Sequence, residues 1–184
     1  MFALSLTGFN NSTIPRDIKI IGDSAFHNCS GLTSISLPSS LTSIGDYAFY
    51  YCEGLTGELN LGGCTSLTSI GEGAFGDCSG LTGELNLGGC TSLTSIGDYA
   101  FSNCSGLTGA LNLGRCTSLT SIGSYAFGYC RALESVVFPE GSTGWYVTTS
   151  STATSGDAVD VTNSSTNASN LTGQYRTYYW KRNA

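Results

Sequence analysis

The chain has 184 residues and a net charge of -6, with seven Lys and Arg against thirteen Asp and Glu. So few cations leave no basic patch to follow a phosphate backbone, which argues against nucleic acid as a partner. No apolar run approaches the roughly 20 residues that span a bilayer, and the opening MFALSLTGFNNS lacks the basic and apolar regions of a signal peptide.

In chain order, residues 2–20 read as a worn repeat half. Ala3-Leu4-Ser5-Leu6 is expected as a strand, Gly8 to Pro15 as a loop, and Ile18-Lys19-Ile20-Ile21 as a second strand. Nothing before Leu4 would cover the apolar end of a stack, and repeat stacks need polar end caps. The expectation is therefore a chain that begins inside a longer array; the alternative is that the worn half is itself the cap. A 23-residue repeat then starts at Ile21, followed by 26-residue copies at Ile44–Ser69, Ile70–Ser95 and Ile96–Ser121, and a partial copy from Ile122. The central copy matches the one before it at 21 of 26 positions and the one after it at 20. Self-similarity at a fixed period of this length is the signature of a solenoid, whose coils bury their apolar faces against each other.

Each copy offers two faces and two turns. In Leu81-Thr82-Gly83-Glu84-Leu85-Asn86-Leu87 the alternation predicts a short strand with Leu85 and Leu87 inward and Glu84 and Asn86 outward. Gly88-Gly89 turns the chain, and Cys90 to Ile96 returns with Leu93 and Ile96 inward. In Gly97-Asp98-Tyr99-Ala100-Phe101, Asp98 is expected to cap a single helical turn that carries Ala100 and Phe101 into the core. The eight cysteines follow the repeat: Cys29, Cys52, Cys78, Cys104 and Cys130 share one position, and Cys64, Cys90 and Cys116 a second. No C-x-x-C pair exists, so a zinc site is not expected. Two columns of buried thiols is the favoured reading, although coils about 5 Å apart leave disulfides geometrically open.

From Pro139 the pattern ends. Residues 148–172 are rich in Ser, Thr, Asn and Gly, with Val159-Asp160-Val161 as a possible short strand, and Tyr175 to Arg182 is rich in strand formers. Together with Trp145 and Tyr146, this end is expected to fold over the last coil as a cap rather than to trail as a stalk. The domain reading is a worn half-repeat over 1–20, a solenoid over 21–138 and a cap or tail over 139–184.

The recurring I-G-x-x-A-F-x-x-C-x-x-L, seen as Ile44-Gly45, Ala48-Phe49, Cys52 and Leu55 and in every later copy, resembles the BspA-like, treponemal-type leucine-rich repeat family. The resemblance covers about residues 18–139. The family's 23-residue form is kept in Ile21–Ser43, whereas the longer copies replace Ile-x-Leu-Pro with Gly-Glu-Leu-Asn-Leu-Gly-Gly-Cys. It implies a β-dominated, right-handed leucine-rich repeat solenoid with short helical turns, at a cell surface or outside the cell. Such repeats look like adhesion modules for host matrix or other cells.

No constellation for catalysis is visible. His27 is the one histidine, and its repeat position is filled elsewhere by Tyr50, Gly76, Ser102 and Gly128, as befits a loop residue. The acidic column Asp23, Asp46, Glu72 and Asp98 is explained by capping, so neither a metal nor a cofactor is expected. Copies that are otherwise alike differ around the capped turn, where Tyr47, Tyr50, Tyr51, Tyr99, Tyr125 and Tyr129 lie. They are read as two patches divided at Gly73, Gly76 and Asp77. Exposed tyrosines give large, low-entropy contact area, but they can equally shield neighbouring coils. Glu58, Glu84, Asn60, Asn86 and Asn112 are expected on the outer strand face, with the asparagines stacked into a ladder of amides. The reading is a non-enzymatic, monomeric module that binds a protein or another surface macromolecule through these residues. The alternative is a structural spacer.

Overall fold

The computed structural model describes residues 12–174 and 176–183, so the strand expected at Ala3–Leu6 and residue Tyr175 lie outside the described residues. The elements run β1 (Ser12–Thr13), β2 (Ile20–Ile21), β3 (Ile35–Ser36), β4 (Ser43–Ile44), β5 (Ser69–Ile70), β6 (Ser95–Ile96), β7 (Gly109–Asn112), β8 (Ser121–Ile122) and β9 (Leu133–Val137). Then come β10 (Trp145–Thr148), β11 (Asp157–Ala158), the helix α1 (Ser164–Ser169), a π-helical turn (Asn170–Gln174) and β12 (Tyr179–Arg182).

The repeat period becomes register. Ile21, Ile44, Ile70, Ile96 and Ile122 pair in succession along one parallel sheet. Each isoleucine is buried, so one apolar column seals that side of the stack. Beside it runs a threonine ladder, in which the hydroxyls of Thr68 and Thr94 donate to the carbonyls of Thr42 and Thr68, each at 2.8 Å. A polar side chain thereby ties coil to coil on a solvated face.

The Gly-Glu-Leu-Asn-Leu side differs from expectation. Leu59, Leu61, Leu85 and Leu87 do point inward, but neighbouring coils meet there as isolated bridges, Gly57 with Leu81 and Asn60 with Asn86. Gly57 and Gly83 sit at φ +77, outside the strand region, and this breaks the ladder. Between the later coils a longer continuous pair forms at β7 and β9, with a bulge at Gly109. At the other end, where a loop was expected, Ser12–Thr13 pairs with Ile35–Ser36.

The capped turn is also different. No helix forms at Gly97–Phe101. Its N–H groups alternate: Tyr99 and Phe101 donate to Ser124 and Ala126 of the next coil, while Ala100 and Ser102 donate three residues back. Asp98 caps nothing in its own turn; its Oδ1 accepts from the Ser124 N–H in the next coil at 2.9 Å. Asp23 and Asp46 do the same for Asp46 and Glu72, at 3.0 and 2.8 Å. The acidic column is thus a set of rungs between coils. The glycine that faces each Asp from the next coil permits the approach: a Cβ at Gly71 would lie 2.6 Å from the Gly45 carbonyl carbon and 2.7 Å from the Asp46 nitrogen.

All eight cysteines are buried thiols rather than disulfides. Cys52, Cys78, Cys104 and Cys130 donate to the carbonyls of Phe26, Phe49, Phe75 and Phe101, one coil back, at 3.0–3.1 Å. The thiol fills a small apolar niche and also bonds the neighbouring coil, which accounts for its recurrence. Burial pushes the thiols of Cys52, Cys90 and Cys130 up to about 12, from an ordinary 9.0. The folded chain therefore favours neutral thiols, while the unfolded chain ionises near pH 9. Their contribution to stability is intact below that value and falls as pH rises towards 12. Urea midpoints are expected to hold from pH 7 to 8.5 and drop steadily above pH 9. At pH 7.5, eight alkylations are expected in denaturant without reductant, and essentially none in the native protein. Fewer than eight in denaturant would reveal a disulfide.

Beyond the last coil, β12 runs antiparallel to β8 and β10 antiparallel to β12, with β11 outside them. The expected strand at Val159–Val161 is displaced to Asp157–Ala158, and a helix not expected from the sequence follows. Asn163 caps it, accepting from the Thr166 N–H at 3.2 Å, and Ala168 and Leu171 join the core.

Candidate partner-binding edge

The tyrosines sit on the edge formed by the alternating turns, and the backbone there is unusual. Tyr47, Tyr51, Tyr99, Tyr125 and Tyr129 all have φ between +54 and +65. The equivalent positions hold Ser24, Gly73, Asn28, Asp77 and Asn103, mostly small residues or residues that tolerate this region. For a bulky side chain the left-handed conformation costs about 1–2 kcal/mol. Tyr50, three residues after Tyr47, has no such burden.

The rings are packed differently along the edge. Tyr47 and Tyr50 are half-buried, and they lean over the glycines that were expected to separate two patches. A Cβ at Gly73 would lie 2.7 Å from the Tyr47 ring, and one at Gly76 2.6 Å from the Tyr50 ring. The gap is therefore filled, and both glycines are buried beneath the rings. Tyr50 meets Tyr47 and Tyr51 edge-on, with centroids 5.4 and 4.5 Å apart. His27 is exposed and lies 5.7 Å from the Tyr50 ring. Further along, Tyr99 and Tyr125 stack at 5.0 Å, and Tyr129 lies 6.3 Å from Tyr125. Tyr51, Tyr99 and Tyr129 remain 42%, 43% and 39% exposed.

Carboxylates fix several hydroxyls. Tyr47 donates to Glu72, which with burial pushes its phenol up to about 12. Burial and a hydrogen bond to Asp77 raise Tyr50 further. At the far end the hydroxyl of Tyr179, from the C-terminal segment, donates to Asp98 Oδ2 at 3.1 Å. That segment also occupies part of the edge: the Tyr125 and Tyr129 N–H groups donate to the carbonyls of Arg176 and Thr172. No pattern in the sequence marks this contact, because the segment carries no repeat. Between Lys19 and Arg115 the chain has no Lys or Arg but eight carboxylates, so the middle coils are wholly acidic.

The second set of residues lies on the opposite side of the coil. Glu58, Asn60, Glu84, Asn86 and Asn112 are all exposed there. The asparagines do not form the expected amide ladder. Each side-chain oxygen accepts from the N–H two residues on, at Gly62, Gly88 and Gly114, with distances of 2.9, 3.1 and 2.9 Å. Their role is to shape the turn.

Compared with known proteins, the chain matches the BspA type leucine rich repeat region in six copies, over residues 1–110 and 64–155. It belongs to the BspA-type leucine-rich repeat family. Among solved structures it is similar to the T. pallidum leucine rich repeat protein TpLRR, with a TM-score of 0.61 and 32% identity over 73% of this chain. It is also similar to the pneumococcal vaccine antigen PcpA, with a TM-score of 0.58 and 30% identity over 74% of this chain. The chain spans 61% of the treponemal protein and 32% of the pneumococcal one. No curated protein matches it. The BspA-type assignment is consistent with a protein-binding module, and among the described residues no helix is long and apolar enough to cross a membrane.

Proposed function

We propose that this BspA-type chain is a non-enzymatic recognition module of the adhesion type, acting at a cell surface and binding a partner protein along its tyrosine edge. The observation that carries the reading is the placement of five tyrosines at left-handed positions. Folding alone would choose Gly, Asn or Asp there, and strained residues gather at functional sites. Tyrosine adds rigid, amphipathic area of the kind that supplies a few strong contacts. The acidic middle coils complement a basic partner surface, so binding should weaken with salt. Similarity to a vaccine antigen supports exposure at a surface.

The spacer reading is favoured by one observation, the seating of Tyr47 and Tyr50 over Gly73 and Gly76, which shields neighbouring coils. Selection from a displayed random dodecapeptide library separates the two. The wild type is expected to enrich peptides rich in Arg and Lys, and the Tyr47→Ala/Tyr50→Ala/Tyr51→Ala variant to lose at least tenfold in affinity for them. The single variant Tyr51→Asn should bind more weakly while gaining up to about 1 kcal/mol of stability from relieved backbone strain. Absence of enrichment, or equal affinity in the triple variant, would favour the spacer.

A further inference from the structure

We propose that the cleft between the last coil and the C-terminal segment is a binding site for an oxyanion, a carboxylate, phosphate or sulfate group. The cleft measures about 420 Å³ and is lined by Tyr129, Arg131, Ser169, Thr172, Gly173 and Arg176. Two guanidinium groups converge there on one ring, with Arg131 at 5.8 Å and Arg176 at 5.3 Å from the Tyr129 centroid. Each is attracted by the ring face, but two cations gathered on it repel each other. Among the described residues no carboxylate pairs with either arginine, although the chain has thirteen.

Arg176 shows the unmet demand most directly. Its Nη1 donates to the Gly173 carbonyl at 2.7 Å, while its Nε is buried without an acceptor. Buried donors are almost always satisfied, and one left unpaired calls for an unseen partner. The guanidinium fork matches planar or tetrahedral oxyanions and forms strong charge-assisted bonds with them. The exposed Ser169 hydroxyl supplies a further neutral donor, and Gly173 leaves open space beside the cleft. Five of the seven cations lie from Arg115 onward, whereas residues 20–114 have none. An anion repelled by the acidic coils is thus attracted to this end. The cleft shares Tyr129 with the tyrosine edge, but its argument rests on the two guanidinium groups and stands without the edge's proposed partner.

The test is a titration of the whole chain with sodium phosphate, sodium sulfate and sodium acetate at constant ionic strength, with chloride as the reference, followed by amide chemical shifts. Saturable shifts are expected at Tyr129, Thr172 and Gly173, with millimolar affinity for at least one anion. Arg131→Gln, at an exposed position, should weaken binding about tenfold or more, the loss of one charge-assisted contact. Arg176→Lys keeps the charge but loses the fork, and it should also weaken binding in a protein whose remaining spectrum is unchanged. Arg115→Gln, outside the cleft, should bind as wild type. Preference for phosphate or sulfate would assign a tetrahedral group, and preference for acetate a carboxylate. Absence of saturation with all three anions, or wild-type affinity in Arg131→Gln, would overturn the proposal.

Discussion

Phe75→Ala is expected to lower the unfolding free energy by about 3–5 kcal/mol. Phe75 has no exposed surface and stands mid-way in a column of stacked rings. Its centroid lies 4.9 Å from that of Phe49 and 5.4 Å from that of Phe101, with the planes within 9° of parallel. Truncation removes a contact from both faces and leaves a cavity walled by two rings. The coils on either side are held by parallel pairs and backbone bonds and cannot collapse into it. In a stack, stability is a sum of coil terms and nearest-neighbour terms, so the loss should weaken the interfaces on both sides. Phe26, at the start of the column and only partly buried, is stacked on one neighbour, Phe49. Phe26→Ala should therefore cost clearly less. Urea midpoints of the two variants and the wild type measure this; coincident midpoints for Phe75→Ala and wild type would remove the column from the core.

That column was legible in the sequence because side-chain identity at a fixed period is all that stacking demands. The isoleucine and leucine faces and the paired cysteine columns followed from the same logic. What could not be read was the choice between bonds within a coil and bonds to the next. Asp98 before Ala100-Phe101 fits a helix cap as a string of letters, yet its oxygen serves Ser124, 26 residues away. The same limit hid the left-handed tyrosines: each looks like a surface substitution until the backbone beneath it is known. Gly73 and Gly76, read as a gap, are the sockets for Tyr47 and Tyr50. The helix at Ser164–Ser169 escaped notice because Ser, Thr and Asn are weak helix formers. Its cap at Asn163 and the burial of Ala168 and Leu171 supply what propensity does not.

Trp180→Ala is expected to cost a similar 3–5 kcal/mol, but with its effect confined to one end. Trp180 is 1% exposed and lies 5.9 Å from Phe138, which also meets Trp145 at 5.0 Å. This aromatic group anchors β12, whose residues Trp180 and Lys181 pair with Ile122 and Ser121 of the last repeat strand. The Arg182 N–H then donates to the Thr120 carbonyl at 2.9 Å, satisfying the final rung of the threonine ladder. Without the anchor, β8 would present unpaired N–H and C=O groups, the kind of edge that recruits another strand. Two consequences distinguish this variant from Phe75→Ala. Hydrogen exchange should accelerate first at Ser121, Ile122 and Tyr125, while Ile44 and Ile70 keep their protection. The variant should also associate in a concentration-dependent way during size-exclusion chromatography, through pairing of exposed β8 edges. Unchanged protection at Ser121 and Ile122 would show that the last coil holds its own edge, and that β12 covers it without stabilising it.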